Sequence, residues 1–143
     1  MDILNVLEKA TQINSVSGSE NEIRKFISDN VKKYCDELSV DAMGNLIAHK
    51  KGSGKKIMFA AHMDEIGIIV TDIDDKGFVR FSSVGGLNLR NLVNLRVRFA
   101  NGVEGVIGAE EESFKDKPAI SKLYVDLGAA DKKEAEKIVS IGD

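Results

Sequence analysis

The stretch Lys56-Ile57-Met58-Phe59-Ala60-Ala61-His62-Met63-Asp64-Glu65-Ile66-Gly67-Ile68-Ile69-Val70 decides the fold of this chain. Five apolar residues, Ile57 to Ala61, follow a lysine pair. Such a run predicts a strand buried on both faces, as in the middle of a parallel sheet. It ends in His62, Asp64 and Glu65. Polar residues beyond the end of a central strand stand where α/β proteins place ligand chemistry. In an extended chain His62 and Asp64 point to the same side, because side chains alternate with a period of two. An imidazole beside a carboxylate pairs a metal ligand with the group that orients it and raises its basicity. The bland alternatives are a core histidine with satisfied hydrogen bonds and an aspartate that caps a turn.

On the N-terminal side, residues 2–14 carry Ile3, Leu4, Leu7, Ala10 and Thr11 at helical spacing. After Ser15-Val16-Ser17-Gly18, the pair Ser19 and Glu22 predicts a capping box. The helix it starts has an apolar face of Ile23, Phe26, Ile27, Val31 and Tyr34. Short strands over 38–41 and 45–49 flank a turn at Met43-Gly44. The segment Lys50 to Lys56 reads as a solvated loop.

Beyond Gly67 the pattern changes. Residues 66–73 predict a strand, Asp74-Asp75-Lys76-Gly77 a hairpin turn, and Phe78 to Ser82 the return strand. Leu95, Val97 and Phe99 alternate with Arg96 and Arg98, which predicts a half-buried strand. Asn101-Gly102 signals a second hairpin, and strands follow over 103–107 and 122–127. Asp131 and Glu134 cap a last helix whose stripe is Ala135, Ile138 and Val139. Closely spaced strands with tight turns predict a small β-barrel or sandwich. The expected fold class is α/β: residues 1–70 in an α/β layer, then residues 71–143 in a compact β-barrel domain.

With 143 residues the chain suits one domain or two small ones. A net charge of −3 excludes the basic footprint of a nucleic-acid binder. A single cysteine, Cys35, excludes an internal disulfide framework and fits a reducing compartment. The sequence starts directly on a helical pattern, with neither a signal peptide nor an apolar run of membrane-spanning length. The expected location is cytoplasmic, with no nucleic-acid and no membrane partner.

The segment Ala60-Ala61-His62-Met63-Asp64-Glu65-Ile66-Gly67 resembles the first metal motif of the M42 family of metallo-aminopeptidases, which includes glutamyl, deblocking and tetrahedral aminopeptidases. Ser17-Gly18-Ser19-Glu20 and Asp41-Ala42-Met43-Gly44-Asn45-Leu46-Ile47 resemble its upstream signatures. Gly105-Val106-Ile107-Gly108 and Leu123-Tyr124-Val125-Asp126-Leu127-Gly128-Ala129 resemble its inserted domain. The resemblance runs the length of the chain. It implies part of a zinc-peptidase-like α/β catalytic domain, followed by an inserted PDZ-like β-barrel used for dimerisation. It implies an enzyme that removes N-terminal residues from peptide substrates, using two divalent metal ions, zinc or cobalt. His62 is implied as a metal ligand, and Asp64 as the catalytic-site residue that hydrogen-bonds it. Self-association from dimers to a tetrahedral dodecamer is implied through the β domain. Of the family's metal ligands only His62 has a counterpart here, so the resemblance describes an N-terminal portion that is inactive alone. A non-catalytic assembly module on the same fold is the alternative. A relative in the M20 or M28 peptidase groups is a third reading, which lacks the β-domain pattern.

Other candidates carry less. Glu65 is as well read as a solvated turn residue as one facing substrate. His49 sits beside lysines on an exposed-looking strand, and Cys35 has no partner residue nearby in sequence. Glu110-Glu111-Glu112 has the composition of the family's Glu-Glu pair, but it lies between the inserted-domain motif and Pro118, where a charge run is a solvated face. No His-Glu-x-x-His, P-loop, Gly-x-Ser-x-Gly or Cys-x-x-Cys occurs, which removes thermolysin-type, nucleotide, serine-hydrolase and zinc-ribbon readings.

Overall fold

The computed structural model describes residues 2–110 and 119–143. The chain falls into two compact units, Met1–Glu65 and Ile66–Asp143, and combines helices with antiparallel sheets. Among the described residues no helix is long and apolar enough to cross a membrane.

In the first unit, helix α1 spans Ile3–Thr11. Asp2 starts it by accepting from Leu4 N at 3.1 Å and Asn5 N at 3.5 Å, which satisfies two N–H groups that a helix start leaves orphaned. Helix α2 spans Asn21–Val31 and buries Ile23. The expected capping box of Ser19 with Glu22 does not form. The N-cap is Glu20, which makes no side-chain cap bond. The backbone N–H of Ser19 is used in a turn onto Val16 O at 2.7 Å, and Glu20 Oε1 accepts from Gly18 N at 2.6 Å. That turn places Gly18 at φ +95°, a left-handed conformation that favours glycine. Strands β1 (Glu37–Val40) and β2 (Leu46–His49) pair antiparallel, close to the expected ranges. Asp41 builds their turn, its Oδ1 accepting from both Met43 N and Asn45 N at 2.9 Å.

The largest departure from expectation lies in the deciding stretch. Residues 57–61 form no strand. Ile57, Met58 and Phe59 are 79%, 87% and 94% exposed, where burial on both faces was expected from their composition. The physical reason is pairing. An apolar run encodes what must be covered, but a strand exists only through a hydrogen-bonded neighbour. No described residue pairs with this segment.

The second unit is built on a five-stranded antiparallel sheet: β3 (Gly67–Ile73), β4 (Val79–Val84), β5 (Arg96–Arg98), β6 (Glu104–Ala109) and β7 (Leu123–Asp126). Its order is β3-β4-β7-β6-β5. Alternation is clear on β7, where Leu123 and Val125 are buried while Asp126 is exposed. The same face collects Val70, Ile73, Val79, Phe81, Phe99 and Ile107 into one core. A short helix α3, Lys132–Ala135, adds Ala135, and Val139 follows it into the core. Asp131 caps α3 as expected, accepting from Glu134 N at 2.9 Å. The sheet order is linear, with β3 and β5 outermost, so the closed barrel is not seen among the described residues. The outer edge of β3 is met instead by the chain's own last residues. Val70 N donates to Asp143 O at 2.8 Å, and Gly142 N donates to Val70 O at 2.9 Å.

Candidate metal-ligand site

The site is held by two segments far apart in sequence. Val16 and Glu65 form a parallel bridge. Glu65 N donates to Ser15 O at 2.9 Å, and Ser17 N donates to Glu65 O at 3.3 Å. Glu65 Oε1 accepts from Ser15 N at 3.0 Å. Ser15 is buried, so these bonds replace water that its backbone has lost. Glu65 therefore clamps the backbone beside the site; the side chain that the sequence left open between turn and substrate is a structural one.

Just before this clamp in the chain, His62 and Asp64 come together as their spacing predicts. His62 Nδ1 lies 2.9 Å from Asp64 O and 3.1 Å from Asp64 Oδ1. Both neighbours are acceptors, so Nδ1 carries the proton in the neutral ring. Nε2 then presents its lone pair outward. The imidazole is 85% exposed and the Asp64 side chain 38% exposed. On its other oxygen, Asp64 Oδ2 accepts from Ser17 Oγ at 2.5 Å. The Ser17 hydroxyl holds the Asp64 carboxyl below its ordinary value; partial burial works against this, and the bond to His62 adds to it. Asp64 is thus a carboxylate at neutral pH, and an ionised acceptor is the stronger anchor for an imidazole N–H.

An imidazole with Nδ1 fixed on a carboxylate and Nε2 free fits one ligand of a metal centre. No cluster of three or more histidine, cysteine, aspartate or glutamate side chains suited to a metal ion occurs among the described residues. His49 lies on the surface with Nδ1 3.2 Å from Glu37, which also meets Lys51 Nζ at 2.7 Å. Cys35 is half-buried and reaches only Lys32 O, at 3.6 Å. Glu110 is committed to Arg80 at 2.9 Å and Lys122 at 3.1 Å, which suits an ion-pair residue and not a general base. Glu111, Glu112 and Pro118 lie outside the described residues. Ser17 is the participant that residue-by-residue reading missed. Its contact spans 47 positions, and only its place in the Ser17-Gly18-Ser19-Glu20 signature pointed to it.

Comparison with known proteins gives this geometry a context. The family model for the M42 glutamyl aminopeptidases matches residues 44–143. A protein of Acetivibrio thermocellus whose name places it provisionally among the aminopeptidases is 54% identical over 99% of this chain and 43% of its own length. The lysyl aminopeptidase of Pyrococcus furiosus is 36% identical over 93% of this chain and 42% of its own. Among solved structures, the Pyrococcus horikoshii TET1 peptidase, described as assembling into a tetrahedron or a large octahedral shell, is 38% identical with a TM-score of 0.80. That match covers 98% of this chain and 44% of the other. The chain thus spans about two fifths of the length of the curated relatives it matches.

Proposed function

Because this chain belongs to the M42 peptidase family, we propose that it carries the His62 metal ligand of an aminopeptidase acting on the N-termini of peptides. The observation that carries the reading is the contact of His62 Nδ1 with both Asp64 O, at 2.9 Å, and Asp64 Oδ1, at 3.1 Å. With Nδ1 turned to Asp64, Nε2 is the nitrogen that the ring offers to a cation. The cofactor in this reading is a pair of divalent ions, zinc or cobalt, of which His62 holds one. Bound there, such ions supply Lewis acidity toward a peptide carbonyl and a water. The residues described here contribute the ligand and its orientation. Of the family's metal ligands only His62 has a counterpart in this reading, so residues 1–143 alone are not expected to turn over substrate.

In the same reading, the first part of the chain, expected over residues 1–70, belongs to the α/β peptidase domain, and the part expected over residues 71–143 is an inserted domain through which subunits associate. Assembly of the TET1 relative supports self-association, without naming the part of the chain that mediates it. A free, unpaired cysteine supports a cytoplasmic location. A second reading, a non-catalytic assembly module on the same fold, draws on the assembly described for the TET1 relative.

Zinc calorimetry and an aminoacyl-nitroanilide assay separate the two. We expect weak zinc binding by residues 1–143, lost in His62→Ala, and no turnover. In a protein that also holds the sequence matched by the rest of its relatives, turnover should appear and His62→Ala should abolish it. Zinc binding unchanged by His62→Ala, or turnover that survives it, would refute the assignment.

A further inference from the structure

The His62 ring is 85% exposed, and among the described residues its two polar contacts both go to Asp64. Whatever fixes Asp64 therefore fixes the imidazole. The torsion that turns a carboxylate is broad, so Asp64 does not aim Oδ1 by rotamer preference alone. The Ser17 hydroxyl occupies Oδ2 at 2.5 Å and leaves Oδ1 facing Nδ1. Ser17 can do this because its own backbone is pinned. Ser17 N is bonded to Glu65 O, and Ser15 on the same segment is bonded to Glu65 through both backbone and side chain.

We propose that Ser17 is a positioning residue for the metal ligand: through Asp64 it sets the Nδ1–H tautomer of His62 and so keeps Nε2 free for a cation. The role rests on the reading of His62 as a ligand, but the chain Ser17–Asp64–His62 is a property of these residues alone. The serine does not touch the metal or substrate. It acts at one remove, on the carboxylate that holds the imidazole proton.

The test reads the tautomer directly, from imidazole nitrogen shifts of this chain at about pH 8.5, where free histidine is neutral. The chain has two histidines, and His49 on β2 serves as an internal control. His62 should be mainly Nδ1–H. In Ser17→Ala the Nε2–H population of His62 should rise by about twofold or more, with His49 unchanged. Ser17→Thr, which keeps the hydroxyl, should restore the original distribution, and Ser17→Cys, a weaker donor of similar size, should fall between. That ranking is readable even where the alanine variant fails to fold, since the cysteine variant should still show more Nε2–H than the threonine variant. A His62 tautomer that is indifferent to the residue at 17 overturns the proposal. Zinc titration of the same samples keeps the two readings apart. A tautomer response without any His62-dependent zinc binding would overturn the ligand assignment alone, and the reverse pattern would overturn the role of Ser17 alone.

Discussion

Ser15 and Glu65 grip each other twice across 50 positions of chain: Ser15 N donates to Glu65 Oε1 at 3.0 Å, and Glu65 N donates to Ser15 O at 2.9 Å. One bond is lost when the side chain is cut back, and the buried Ser15 N–H is then left without its acceptor. Glu65→Ala should destabilise the first unit by about 1 to 2 kcal/mol. Glu65→Gln keeps an acceptor oxygen and should cost clearly less. Urea unfolding followed by circular dichroism, compared between the two variants, checks this. Equal losses would show that the carboxamide cannot replace the carboxylate here.

Gly77 closes the β3–β4 turn with φ +83°, and a Cβ added there would come 2.9 Å from Asp131 O. The obstacle is backbone, which cannot swing aside as a side chain can. Gly77→Ala should therefore cost about 1 to 3 kcal/mol, combining left-handed strain with the close contact. Thermal melting should show it. By contrast, a Cβ at Gly86 meets nothing within 4 Å, so Gly86→Ala should be close to neutral.

Arg80 ties two carboxylates together, Asp74 at 3.0 Å and Glu110 at 2.9 Å. Burial works to raise the Asp74 carboxyl, but bonds from Phe78 N and Arg80 outweigh it and hold it below its ordinary value. Glu110 is held low by Lys122 and by Arg80. A carboxylate with a depressed folded-state pKa binds protons more readily when unfolded. Its contribution is then complete above the unfolded pKa, about 4, and is lost as pH falls through the lower folded values. The melting temperature of the second unit should fall as pH drops below about 4. Arg80→Met should flatten that dependence. An unchanged slope in this variant would show that the trio is not what titrates.

Ile57, Met58 and Phe59 present three consecutive large apolar side chains to solvent. Contiguous apolar surface of this kind drives association. Light scattering at micromolar concentration should give a mass above that of one chain, and Met58→Lys with Phe59→Lys should lower it. A single-chain mass for the unaltered sequence would count against the idea.

What the sequence made legible was local. The Asp74 to Gly77 turn closes with Asp74 N on Phe78 O at 3.0 Å, and the Asn101-Gly102 turn closes with Phe99 N on Val103 O at 2.8 Å. In each case the residues that make the turn are the residues that encode it. The meeting of His62 and Asp64 was also legible, because two positions apart is within reach even where no strand forms. Three things were not. The insertion of β7 between β4 and β6 depends on contacts with no nearby sequence signal. The Ser17–Asp64 bond spans most of the first unit. And Ile57 to Ala61 announced a need for cover without naming the strand that would meet it.

The bonds between Val70 and the final residues Gly142 and Asp143 have one more consequence. The second unit begins at Ile66, and its last residue ends alongside the first strand, about one strand spacing away. Residues 142–143 give β3 backbone partners on the side away from β4, which leaves less of its outer edge open to pairing with another chain.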